Sequence, residues 1–183
     1  MKIVVGITGS SGAVYAQKFL QKCPDDKFLV VSKWGKVLLK DELGISEKDL
    51  QPFIKKKFDD SDLTAPIASG TNYFDAFVIL PCSTSTLGKI ASGIGDTLMT
   101  RTAAVCLKER YKLVLCIRET PLSTISLEQC AKLSAQGVII MPISPPLYFV
   151  PQTVDEYVNG FVEKVLHVVG VRSGKGWRSE EME

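Results

Sequence analysis

Lys2-Ile3-Val4-Val5-Gly6-Ile7-Thr8-Gly9-Ser10-Ser11-Gly12-Ala13 opens the chain, and its reading decides the fold. The β-branched run Ile3 to Ile7 reads as a strand and Thr8 to Gly12 as a tight turn. Val14, Ala16, Phe19 and Leu20 then fall at helical spacing in a helix that ends near Pro24. The same alternation repeats outward from there. Phe28 to Val31 is a second strand, and Lys33 to Leu43 a second helix stopped by Gly44. Ala76 to Leu80 is a continuous apolar strand, followed by helical segments from Leu87 to about Ile94 and from Thr97 to about Arg110. Leu113 to Ile117 and Val138 to Met141 complete the strands. A helix from Ser126 to Ala135 lies between them, and an amphipathic helix from about Val154 to Val169 comes last.

Strands alternating with helices in this way predict stacked βαβ units, hence an α/β, Rossmann-like, three-layer α/β/α fold with a mainly parallel sheet. The mixed-charge stretch from Ile45 to Asn72 is expected as a connection. Residues 1–170 are expected to form one domain and 171–183 a polar tail. A chain of 183 residues with 45% hydrophobic content can bury one sizeable core but hardly two. Its 22 Lys and Arg against 20 Asp and Glu leave a formal charge of +2, which points to neither nucleic-acid nor membrane binding, so any anion site must be local. Cys23, Cys82, Cys106, Cys116 and Cys130 are scattered, with no metal-ligand or disulfide spacing. No apolar stretch approaches the ~20 residues of a membrane span, and the apolar run at the start is too short for a signal segment. A cytoplasmic protein without a metal centre is the expectation.

In an open parallel sheet, ligands bind beyond the carboxyl ends of the strands, and polar residues cluster there in this sequence. Gly9, Ser10, Ser11 and Gly12 follow the first strand at a helix start, where backbone N–H groups favour an anion or a polar ring edge. A plain capping turn explains them equally well. The motif is not G-x-G-x-x-G, and no acidic residue ends the second strand to hold a ribose, so dinucleotide binding loses ground. Ser32 follows the second strand. Ser83, Thr84, Ser85 and Thr86 place four hydroxyls in a row after the third, where capping alone needs one, which favours a phosphate or flavin ring atoms. Arg118 and Glu119 end an apolar strand, which makes Arg118 a candidate anion ligand and Glu119 a candidate acid or base. Arg101 and Lys108 stand seven residues apart on one helix, a spacing that could grip a phosphate, but with Glu109 and Arg110 beside them the spacing alone favours an ordinary solvated face. Tyr148, after Pro145-Pro146, can donate to a phosphate or pack. Cys82 lacks a base, because the one histidine, His167, belongs to the surface of the last helix.

Six strings stand in the order and spacing of one family. They are Gly6-Ile7-Thr8-Gly9-Ser10-Ser11-Gly12-Ala13, Pro81-Cys82-Ser83, Thr100-Arg101-Thr102-Ala103-Ala104, Leu107-Lys108-Glu109-Arg110, Arg118-Glu119-Thr120-Pro121-Leu122 and Pro146-Leu147-Tyr148. Together they closely resemble the UbiX-type flavin prenyltransferases over about residues 1 to 170. The resemblance implies transfer of a dimethylallyl group from dimethylallyl monophosphate to N5 and C6 of reduced FMN, giving prenylated FMN for a UbiD-type decarboxylase, often in quinone synthesis or aromatic-acid breakdown. It further implies that Gly9 to Ser11 contact the flavin with Ser11 near N5, and that Ser32, Ser83 to Thr86 and Arg118 bind FMN. Lys108, Tyr148 and Lys164 match positions that hold the substrate phosphate, with Arg101 as another member of that cationic site. Glu119, and Glu42 lent by a neighbouring subunit, match acidic groups beside it. The family assembles as dodecamers with the active site between subunits. Lys164 stands where Arg is common, so a point charge replaces a bidentate fork.

Two other readings share these residues. A flavin-dependent cysteine decarboxylase calls for a histidine after the second strand and a Pro-Ala-Ser-Ala-Asn-like turn, whereas this chain has Trp34 nearby and Pro81-Cys82-Ser83-Thr84-Ser85. A non-catalytic FMN-binding protein would need neither Glu119 nor Lys108.

Overall fold

The central strands of the protein alternate their side chains between two apolar layers, and that period of two builds the molecule. The structure is a computed structural model and describes residues 1–171. The expected tail, apart from Val171, therefore lies outside the described residues. In chain order the elements are β1 (Lys2–Ile7), α1 (Ala13–Lys22), β2 (Asp26–Val31), α2 (Lys33–Leu43), β3 (Lys56–Asp59), β4 (Ala76–Cys82) and α3 (Thr84–Ala91). There follow α4 (Leu98–Glu109), β5 (Lys112–Ile117), α5 (Thr124–Ser134), β6 (Ile139–Pro142) and α6 (Val154–Val169). The strands form one six-stranded sheet in the order β3-β2-β1-β4-β5-β6, and every adjacent pair is parallel.

Ile3, Val5 and Ile7 of β1 with Ala76, Val78 and Leu80 of β4 face the layer that holds Phe19 and Leu20 of α1 and Val162, Val165 and Leu166 of α6. Val4, Phe77 and Ile79 face the other way, onto Leu98, Met99 and Ala103 of α4 and Leu87 of α3. All of these are essentially withdrawn from water, each contributing about 1.5–3 kcal/mol for a large aliphatic or aromatic side chain. The three-layer α/β/α expectation holds, and the sheet is parallel throughout.

The structure departs from the sequence reading at β3 and at the starts of two helices. Lys56–Asp59 lies in the stretch expected as a connection, yet it pairs with β2 from Phe28↔Lys56 to Val31↔Asp59. It is an edge strand whose single buried residue is Phe58; Lys56 is exposed and Lys57 is half-buried beside Glu47, so neither apolar content nor alternation marks it. α3 begins at Thr84 rather than Leu87, because the Ser83 hydroxyl accepts from Thr86 N and draws the hydroxyl-bearing residues into the first turn. By the same device, Ser123 starts α5 at Thr124 rather than Ser126.

The close approach of α2 to β1 depends on one residue. A Cβ on Gly35 would stand 2.5 Å from the carbonyl oxygen of Ile7. That atom is backbone and cannot swing aside, so Gly35→Ala is expected to lower stability by about 1–3 kcal/mol, read as a shift in urea midpoint at unchanged slope.

Candidate active site

The sheet order reverses direction between β1 and β4, and the carboxyl ends of these two strands leave a crevice there. Thr8 and Ser10 stitch its rim. The buried Thr8 hydroxyl donates to Pro81 O at 2.7 Å and accepts from Ser83 N at 2.8 Å, which joins the turn after β1 to the turn after β4. The Ser10 hydroxyl donates to Arg118 O at 2.6 Å and joins the same turn to the end of β5. These bonds fix the loops that carry the candidate residues.

The N-termini of α1, α2, α3 and α4 all face this edge, and their backbone donors are not equally available. At α1, Glu42 accepts from Gly12 N at 2.9 Å and Ala13 N at 2.8 Å, so a carboxylate of the same chain already occupies the anion position that the glycine-serine turn offers. At α4, Leu98 N donates to Asp60 O at 2.7 Å, Met99 N to the Asp60 carboxylate at 2.9 Å, and Thr100 N to the Thr97 hydroxyl. Ser32 and Ser83 cap α2 and α3 through the N–H groups of Gly35 and Thr86. The N–H groups of Lys33, Trp34, Thr84 and Ser85 have no protein partner among the described residues. The donors open to a phosphate are therefore those of α2 and α3.

Between these two helices lies a cleft of about 270 Å³. Gly9, Ser32, Ser83, Ser85 and Thr86 line it, as sequence reasoning expected, together with Thr8. Thr84 shares the first turn of α3, and Ser10 and Ser11 continue the turn from Gly9. Trp34, a residue 63% exposed, forms another wall. A Cβ on Gly9 would stand 2.3 Å from Cβ of Trp34, so this glycine sets the width of the cleft.

Asp60, Met99, Thr97, Thr100, Lys33 and Lys89 also line the cleft, and sequence reasoning did not single them out. Asp60 and Thr97 precede helices or loops in ways that leave no spacing signal. A helix start after the Gly93-Ile94-Gly95-Asp96 break was the one available hint for Thr97 and Thr100. Burial is the main cause holding the Asp60 carboxyl above its ordinary range, partly countered by the bonds from Met99 N and Thr97.

Arg118 and Glu119 stand at the end of β5, both exposed. Glu119 Oε1 accepts from Thr120 N at 3.0 Å, and the Arg118 side chain has no carboxylate partner among the described residues. Tyr148 is exposed on the segment between β6 and α6, its ring 4.5 Å from that of Phe149.

The remaining candidates are not brought together within one chain. Arg101 lies in the first turn of α4, but Lys108 is seven residues on, about 10 Å down the axis. It pairs there with Glu109, three residues before β5 starts at the opposite edge of the sheet. Lys164 is exposed about 15 Å along α6, whose far end Lys112 of β5 ties down by donating to Val168 O at 3.1 Å. Lys108 and Lys164 thus lie at the amino edge of the sheet, away from the cleft of their own chain.

Burial, with a smaller contribution from Cys130, pushes the Cys82 thiol far up, which leaves it unreactive. His167 is exposed on α6, as expected for a helix-surface residue. All five cysteines are free thiols.

A cleft that offers hydroxyls and open N–H groups on one side and an indole on the other suits a phosphorylated ligand with a planar ring. Comparisons with known proteins agree. The sequence profile of the Flavoprotein family matches residues 1–170. The chain is 45% identical to the flavin prenyltransferase UbiX of Thermoplasma acidophilum over 172 residues, covering 93% of this chain and 96% of the relative. AnUbiX (PadA1), whose crystal structure is a complex with FMN and dimethylallyl pyrophosphate, superposes with a TM-score of 0.90 at 32% identity, covering 97% of this chain and 98% of that one. The dodecameric FMN-dependent UbiX-like decarboxylase from Escherichia coli gives a TM-score of 0.93 at 38% identity, covering 97% and 100%. With its overall fold and its sequence in agreement over nearly the whole length, the chain belongs to the Flavoprotein family and, within it, to the UbiX flavin prenyltransferases.

Proposed function

We propose that the protein is a metal-independent flavin prenyltransferase that moves the dimethylallyl group of dimethylallyl monophosphate onto reduced FMN. The observation that carries this reading is the cleft between α2 and α3, lined by Gly9 of a turn whose next residue, Ser10, is hydrogen-bonded to Arg118 O at the end of β5. FMN sits with its phosphate toward Ser32 and Ser83 to Thr86, and Ser11 lies near N5. The N5 lone pair attacks the allylic carbon as the carbon–oxygen bond breaks; the bonding pair leaves with phosphate, and the proton that N5 loses ends on that phosphate. The alkene then takes up a proton while C6 attacks it and loses its own. The sum is one isoprene unit gained by the flavin and one inorganic phosphate released.

Charge develops on the departing phosphate, so cationic and hydrogen-bonding groups accelerate the step by holding it in place. Arg101, Lys108, Tyr148 and Lys164 take this role, and Glu119 moves the protons. Lys108 and Lys164 lie at the far edge of their own sheet, so they serve the cleft of a neighbouring subunit. An exposed apolar run, Leu147 to Val150, and the exposed Trp34 beside the cleft support such an assembly. By likeness to the dodecameric relative the protein is a homododecamer. Within one chain Glu42 caps α1; from there it also reaches the site of an adjacent subunit.

The prenylated FMN passes to a UbiD-type decarboxylase. Residues 1–170 act as one domain. Five free thiols and the lack, among the described residues, of a helix long and apolar enough to cross a membrane support a cytoplasmic location.

The test is phosphate release from dimethylallyl monophosphate under anaerobic conditions. Release with reduced FMN and none with oxidised FMN supports the reading. Release independent of the flavin would identify a phosphatase instead.

A further inference from the structure

Two cations in the cleft have no part in the reaction described above. Lys33 and Lys89 both line it, from α2 and α3, on either side of the N–H groups left open at the two helix starts. Lys89 follows Ser85 by four residues and Thr86 by three, so the three side chains share one face of α3. Its Nζ lies 2.6 Å from the Asp96 carboxylate, in a pair whose side chains are 40% and 50% exposed. Such an exposed pair contributes little in water and yields readily to a dianion. Lys33 Nζ lies 5.7 Å from the centre of the Trp34 ring, with no carboxylate partner among the described residues. The acidic group on the cleft wall, Asp60, directs its carboxylate to Met99 N and is held toward its neutral form by burial.

We infer that Lys33 and Lys89 form a two-sided cationic seat for the flavin phosphate and make the cleft select FMN over unphosphorylated riboflavin. This inference rests on the flavin-binding part of the proposed function and is independent of prenyl transfer. Lys89 exchanges Asp96 for the phosphate when FMN enters, and Lys33 closes on it from the α2 side. Because the seat acts on charge, its contribution falls with added salt.

The experiment titrates the intact protein with FMN and with riboflavin, by quenching of flavin fluorescence, for the wild type and for Lys33→Ala and Lys89→Ala. Each variant is expected to lose about tenfold in FMN affinity while its riboflavin affinity stays within about twofold, and each should show a shallower salt dependence for FMN. Lys89→Arg is expected to retain most of the FMN affinity. Unchanged riboflavin binding certifies that a variant is folded. A loss confined to one variant, an equal loss for both flavins, or no loss in either would overturn the two-sided seat. A wild-type protein that binds neither flavin would sink the flavin reading and the seat with it.

Discussion

Glu119→Gln slows prenyl transfer by about 10²–10⁴-fold and leaves FMN affinity within about twofold, the expected result of removing a proton carrier from a site that is otherwise intact. Glutamine keeps the shape of the side chain and can still accept from Thr120 N, the one hydrogen bond Glu119 makes among the described residues. Because the side chain is exposed and makes no ion pair among the described residues, the fold loses almost nothing with its charge. Arg118 beside it, the hydroxyls of α3 and the turn after β1 remain to bind the flavin. Single-turnover formation of prenylated flavin, set against flavin titration of the same variant, separates the two quantities. Equal losses in rate and affinity would mean that Glu119 is structural and that the proton is carried elsewhere.

The second large effect concerns Lys108. Lys108→Ala alone is expected to abolish most of the activity, as Glu119→Gln does, yet oligomers assembled from equal amounts of the two inactive variants should regain activity. The reason is topological. α4 runs from Leu98 at the cleft edge down to Glu109 at the opposite edge, so Lys108 cannot reach the cleft of its own chain. A site that draws Glu119 from one subunit and Lys108 from another is intact wherever a Lys108→Ala chain supplies the glutamate and a Glu119→Gln chain supplies the lysine. Random mixing makes about a quarter of the sites whole. Specific activity after co-refolding, compared with each variant alone, reads the effect. No recovery in mixed oligomers would place both residues in the site of a single chain, against the geometry.

Much of the fold was legible because the signals were local. β1, its turn and α1 follow from a β-branched run, a glycine-serine turn and helical spacing, each visible within a dozen residues. β3 was not legible. Lys56 and Lys57 precede its buried Phe58, and the strand exists because β2 offers an unpaired edge, which is a tertiary cause.

The site divides in the same way. Ser32, Ser83, Ser85 and Thr86 were singled out because ligands bind at parallel-strand ends, and the structure gathers them in one cleft. The turn at Gly9 to Gly12 offered an anion position on equal terms with a plain cap, and the structure fills part of it with Glu42. That partner lies 30 residues on and carries no local mark. Asp60 was missed for the same reason, since it meets α4 only through folding. The separation of Lys108 from the cleft, by contrast, was open to deduction, because a helix between parallel strands must run back across the sheet.

The central claim is that the flavin is a substrate that leaves modified. It is tested most directly by incubating the protein anaerobically with reduced FMN and dimethylallyl monophosphate and weighing the released flavin by mass spectrometry. The released flavin is expected to be heavier by one five-carbon isoprene unit; a flavin of unchanged mass, recovered from protein shown to have bound it, would overturn prenyl transfer.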